Sequence, residues 1–201
     1  MQANPTAQRG FSLLELMVTV AVAGTLAVIA VPNMRDFMRN NRLTSASNDM
    51  LRSVQVARSE AVKRQQVVTT CASANPDAAG AVCSEGNMSG WIVFQDTNNN
   101  WDRDPAVESE AVIDRKTVPD GVSVVNNSTG KVSYNASGFA NSTPGQTPMS
   151  LVVICDSRGI QAVGDNSLAR ALLIAPTGRA HTTKLHTEVT EALDDIGGSC
   201  P

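Results

Sequence analysis

An α+β fold, with one long amino-terminal helix joined to a β-rich head, is the class this sequence predicts. Three observations carry it. Residues 11–31 form an apolar run of membrane-spanning length. From Leu43 to Ala61 apolar residues recur at steps of three and four, as on one face of a helix. From residue 66 onward, short β-prone segments alternate with Gly, Asn, Pro, Asp and Ser.

The elements follow in order. At about 1.5 Å per residue, a helix over 11–31 spans roughly 30 Å, the thickness of a bilayer core. Its one charge, Glu15, is expensive in hydrocarbon and calls for an opposite charge beside it. Pro32 lacks an amide hydrogen and is expected to kink the helix near Ala30 or Val31. Residues 32–64 read as its amphipathic continuation. Leu43, Ala46, Met50, Val54, Ala57 and Ala61 form the inward stripe, and Arg42, Arg52, Arg58, Lys63 and Arg64 can occupy the other face. The first half of the helix belongs in lipid or in a bundle of sister subunits, and the second against the head. Residues 65–201 make that head. Candidate strands are 66–71, 91–95, 111–118, 122–125, 131–134, 151–155 and 169–175, with a small-polar loop over 135–148. Strands of this length and spacing suggest an antiparallel, sandwich-like sheet system.

Charge divides along the chain. Residues 1–64 carry eight Lys/Arg against four Asp/Glu, and residues 65–201 carry eight against fifteen, a balance of −7. A head this acidic is a poor match for general nucleic-acid binding, which rewards clustered Lys and Arg. Cys71, Cys83, Cys155 and Cys200 all lie in the head, as expected of an oxidising compartment. Four cysteines allow three pairings. Cys71–Cys83 with Cys155–Cys200 is favoured, because the first pair brackets a short Asn/Pro/Asp/Gly loop and the second would pin the carboxyl-terminal tail to a buried strand. Without a Cys-x-x-Cys, a zinc site or thioredoxin-like motif is not indicated.

The segment before the apolar run is short and polar, and the run follows Gly10 instead of preceding a cleavage site as in a secretory signal peptide. Gly10-Phe11-Ser12-Leu13-Leu14-Glu15 resembles the class III leader of type IV prepilins and pseudopilins. That resemblance implies removal of residues 1–10 by prepilin peptidase and N-methylation of Phe11. It also implies that Glu15 neutralises the terminal amine of a neighbouring subunit. Counting Arg9 before the span against Arg35, Arg39 and Arg42 after it favours the opposite orientation. The leader pattern takes precedence and sets the N-terminus in the cytoplasm and the head in the periplasm.

Three further stretches narrow the resemblance. Ala57-Arg58-Ser59-Glu60-Ala61-Val62-Lys63-Arg64, then Trp91-Ile92-Val93-Phe94-Gln95-Asp96-Thr97-Asn98-Asn99-Asn100, and late in the chain Pro176-Thr177-Gly178-Arg179 are similar to patterns of the GspH/FimT family of pseudopilins. The implied protein is a structural subunit and not an enzyme. It would be a minor pilin that primes assembly of a type IV pilus at the bacterial inner membrane, near the filament tip. Its partners would be other pilins, prepilin peptidase and the inner-membrane assembly platform. A minor pseudopilin of the type II secretion system is the alternative, and a DNA-binding pilus component for natural transformation is a second.

Two sites invite other chemistry. Asp96, Asn98, Asn100 and Asp102 have the alternating oxygens of a calcium loop, but Trp101 stands where the glycine belongs and Glu108 falls one position late. A hydrogen-bonded Asx turn accounts for the same residues, and no cofactor is expected. Arg179 and Lys184 are the candidate DNA contacts, although His181 stands where the family's DNA-binding members carry a second Arg. His181 and His186, read as residues of one strand, would face opposite sides. No Gly-x-Ser-x-Gly or comparable nucleophile motif is present.

Overall fold

The structure is a computed structural model that describes residues 10–84 and 88–200. Helix α1 runs Leu13–Arg64 without a break through Pro32. Ser12 caps its start, accepting a hydrogen bond from the Glu15 amide at 3.2 Å. Gln65, with φ 56°, ends it in a left-handed turn, and the Gln66 amide returns to the Ala61 carbonyl at 3.2 Å.

The contacts divide the chain into two units, 1–39 and 40–201. In the described part of the first, every residue from Gly10 to Arg39 is exposed. The second holds the rest of α1 and two antiparallel sheets. One sheet has the order β3-β2-β1-β5, built from β1 (Val68–Ser73), β2 (Gly90–Gln95), β3 (Val112–Thr117) and β5 (Lys131–Tyr134). The other has the order β4-β6-β8-β7, built from β4 (Val122–Asn126), β6 (Leu151–Asp156), β7 (Ala162–Val163) and β8 (Asn166–Ile174). Strand β9 (Ala180–Leu185) also pairs with β8. Helix α2 (His186–Ile196) follows and ends at Gly197, which has φ 65°.

The two-residue period of a strand sorts the core. Leu43, Met50 and Val54 of α1 meet Trp91 and Val93 from one sheet and Val152, Ile154 and Leu172 from the other. This shared core lies where both sheets and α1 converge. The alternate residues face outward into two smaller clusters. Val153, Cys155 and Ala171 pack under Val189, Ala192 and Leu193 of α2. Ile92 and Phe94 pack with Cys71 and Ala81. The disulfide Cys71–Cys83 closes a loop over that last cluster, and Cys155–Cys200 ties the segment after α2 to β6.

The structure corrects the reading of the carboxyl-terminal region. His181 lies in β9 but His186 begins α2, so the two histidines do not share a strand. Strands β7 and β9 and helix α2 were absent from the expected elements. The signal for α2 was present, since Val189, Ala192, Leu193 and Ile196 keep helical spacing and Gly197 supplies the left-handed end. Strand β9 reads Ala-His-Thr-Thr-Lys-Leu and is polar because no residue of it is fully buried.

Candidate functional site

The amino-terminal surface is a helix that packing within the head leaves unfinished. Leu, Met, Ala and Val fill Leu13–Val31, and Ser12 starts the helix at the residue after Phe11. Phe11 is 81% exposed and Leu14 74%. The span has a mean hydropathy of 2.3 in its most apolar window, with none of that window buried. Thr19 and Thr25 turn their hydroxyls back to the carbonyls of Leu16 and Val22, at 2.9 and 2.8 Å, so the span satisfies these polar groups within itself. Glu15 is exposed on the first turn. Of the leader, Gly10 is described, and residues 1–9 lie outside the described residues.

A second constellation lies in the head, where three stretches distant in sequence meet. Arg58 of α1 donates through Nε to the Gly138 carbonyl at 2.8 Å and through Nη2 to the Thr177 carbonyl at 3.4 Å. Gly178 has φ +78°, and a Cβ there would come within 2.3 Å of the Gly138 carbonyl oxygen. Only glycine fits that turn. Behind it the Tyr134 hydroxyl is buried, with no hydrogen-bond partner among the described residues. Burial pushes this phenol far above its ordinary range, opposed by the positive charge of Arg58. Gln55, Arg58, Val62, Lys63, Gly178 and Arg179 border an open groove of about 660 Å³ there. Glu60 is held below the usual carboxylate range by its hydrogen bonds to Arg64 first and Lys63 second. Arg64 also reaches Gln95 at 3.2 Å, joining the end of α1 to β2.

The Asp96 loop has its own internal logic. Asp96 is buried and accepts from the amides of Asn100 and Trp101 at 3.2 and 3.0 Å and from the Thr69 hydroxyl at 2.9 Å. Asn98 and Asn100 accept from the amides of Asn100 and Asp102, at 3.1 and 2.8 Å. Asp102 pairs with the buried Lys131 at 2.6 Å. Trp101 takes the left-handed conformation, φ 65°, at the position of the missing glycine, and its ring is buried. The four oxygen-bearing side chains are thus turned to protein donors as a succession of Asx turns. Among the described residues no group of three His, Cys, Asp or Glu is placed to hold a metal ion.

Arg179 and Lys184 are both exposed, but they lie before and near the end of β9, roughly 16 Å apart at about 3.3 Å per residue. The structure does not bring them together.

Residues 46–178 match the family described as "Type II transport protein GspH". The chain belongs to the GspH family. Residues 5–31 also match the "Prokaryotic N-terminal methylation motif", which with the apolar helix fits a membrane-anchored pilin. The matched stretch of this GspH-family protein runs from the α1 core stripe to Gly178, the glycine that the Arg58 contacts require. A "Fimbrial protein" of Pseudomonas aeruginosa is 34% identical over 64 residues, covering 32% of this chain and 42% of its own. The "Type IV major alpha-pilin" of Moraxella bovis is 41% identical over 44 residues, covering 22% and 28%. The chain therefore spans less than half the length of these curated relatives. The crystal structure of the Pseudomonas aeruginosa type IV minor pilin FimU superposes with a TM-score of 0.49 at 20% identity, covering 75% of this chain and 94% of that one.

What the sequence reading missed in this GspH-family head is the use of its own motifs. Arg58 holds the Gly138 and Gly178 turns to α1, Glu60 holds Arg64, which reaches Gln95 at the end of β2, and Asp96 shapes the loop that follows β2. The pairing of Arg58 with Gly138 and Thr177 across 80 and 119 residues leaves no local signal to read.

Proposed function

We propose that this GspH-family protein is a minor pilin, a low-abundance structural subunit that primes assembly of a type IV pilus. The observation that carries the reading is the unburied apolar segment of α1 over residues 13–31, which starts two residues after Phe11 and bears Glu15 as its one carboxylate. Such a surface needs lipid before assembly and the same segment of sister subunits afterwards. Prepilin peptidase would cut after Gly10, and Phe11 would be N-methylated. The Glu15 carboxylate would then pair with the Phe11 amine of a neighbour, because two opposite charges are tolerable in hydrocarbon only together. The N-terminus would lie in the cytoplasm and the head in the periplasm, docking through the inner-membrane platform onto other pilins near the filament tip.

Membership of a family of type II transport proteins favours a second reading, a minor pseudopilin of the type II secretion system. A clean deletion separates the two. Lost surface pili with normal exoprotein release supports the pilus, and intact pili with exoproteins retained in the periplasm supports the pseudopilus. Duplex DNA is not the expected partner, since Arg179 and Lys184 stand apart on an acidic head. The Asp96 loop is read as structural, and no cofactor is invoked. Calcium added to the full chain in detergent should leave its melting temperature unchanged, and a rise would reinstate a calcium site.

A further inference from the structure

We propose that the groove beside Arg58 receives the acidic face of α2 from a second copy of this chain, a contact between heads. The inference rests on two surfaces of the head and is independent of which filament the subunit joins. The groove, about 660 Å³ and open to solvent, has Val62 and Gly138 along it, Arg58 at its base and Lys63 and Arg179 at its rim. Among the described residues no carboxylate lines it. The nearby Glu60 is engaged by Arg64 at 2.6 Å and by Lys63 at 3.2 Å, so one acid stands against four cations there, Arg58, Lys63, Arg64 and Arg179. Arg179 is exposed, and its side chain makes no hydrogen bond or ion pair among the described residues. Val62, 44% exposed, leaves an apolar strip between the charges.

The complementary surface is on the same head. Helix α2 buries Val189, Ala192 and Leu193 and exposes Glu188, Glu191, Asp194 and Asp195, with no Lys or Arg anywhere in its length. Asp194 and Asp195 sit in its last turn, where the helix dipole disfavours negative charge and no basic residue offsets them. The stability of the helix itself gives no reason for these two aspartates. Association with a cationic surface does. Groove and helix are different patches of one head, so two copies can meet through one such contact or through two reciprocal ones. An extended duplex would meet the acidic remainder of the head, whereas a short acidic helix of about 16 Å meets only the groove.

Sedimentation of the full chain in detergent micelles tests this. Association should appear at low ionic strength and vanish at about 0.5 M salt, where exposed charges are screened. Lys63→Glu with Arg179→Glu should weaken it at least about tenfold, as should Glu191→Lys with Asp194→Lys in a separate chain. Mixing the two reversed chains should restore association, because each then presents the charge the other lacks. Neutral Lys63→Gln with Arg179→Gln, which introduces no repulsion, should weaken it less than reversal and guards against a misfolded variant. A chain that stays single at low salt would overturn the proposal. So would association that both reversed variants retain, which places it in the span, or a mixture that fails to recover. Reversal that abolishes only binding of added duplex DNA would assign the groove to nucleic acid and overturn it equally.

Discussion

The two halves of α1 are one helix with two kinds of apolar surface. In residues 13–39 every residue is exposed, including Leu14, Leu16 and Ile29, whereas Leu43, Met50 and Val54 of the second half are fully enclosed. The two halves differ both in how apolar they are and in where the apolar residues lie. In the first half, apart from Glu15, residues 13–31 carry no charge on any face, and nothing among the described residues covers them. The second concentrates its apolar residues on one stripe and gives Arg42, Arg52 and Arg64 to the other face. Secondary structure alone therefore says little about what a helix does here. The angular distribution of its apolar residues says which half folds the head and which must be completed by lipid or other subunits.

The sharpest way to break the comparison is to cut equally into both halves and melt the full chain in detergent. Leu43→Ala should lose roughly 2–5 kcal/mol, because it opens a cavity in the shared core. Val18→Ala, on the exposed half, should shift stability by less than about 0.5 kcal/mol. Equal losses would mean that both halves belong to one cooperative unit. Next come the disulfides, which belong to the head alone. Opening Cys155–Cys200, which spans 45 residues, should destabilise the head by about 1 kcal/mol more than opening Cys71–Cys83, which spans 12, by the loop-entropy rule. Urea unfolding of the two double-serine variants measures that difference.

Two glycines repeat the contrast. Gly178→Ala should destabilise by more than about 1 kcal/mol, since its turn is left-handed and a Cβ would strike the Gly138 carbonyl. Gly24→Ala meets nothing within 4 Å and should be neutral or slightly stabilising in the isolated chain. The smallest effect belongs to Tyr134. Its folded-state pKa is raised by burial, so the folded state holds the proton more tightly than the unfolded one. Its stabilising contribution is complete below the ordinary tyrosine pKa of about 10 and is lost as pH rises beyond it. Tyr134→Phe should flatten that alkaline loss at little cost near neutral pH, because the hydroxyl has no partner to lose. A melting series from neutral to alkaline pH shows it.

Much of this contrast was legible in the sequence. The length of the apolar run, the stripe from Leu43 to Ala61 and the positions of β2, β4, β5 and β6 follow from residue periodicity, which is local. The polar edge strand β9 gave no such period, and α2 was short enough to be passed over despite its spacing. The head's motif residues were visible as a pattern, but their work was not. Arg58 and Gly178 act on partners brought close only by the completed fold, and Asp96 shapes a loop whose residues mimic a cation site. Glu15 is the opposite case. It stands out in the sequence, and nothing among the described residues explains it.

That residue gives the most direct measurement. Glu15→Val should leave the head's melting temperature within error of the parent chain, because the span contributes nothing to the core, and should prevent recovery of the protein in sheared or pulled-down filaments. Normal incorporation of the variant would contradict the account that this carboxylate pairs with a neighbour's amine to seat the subunit.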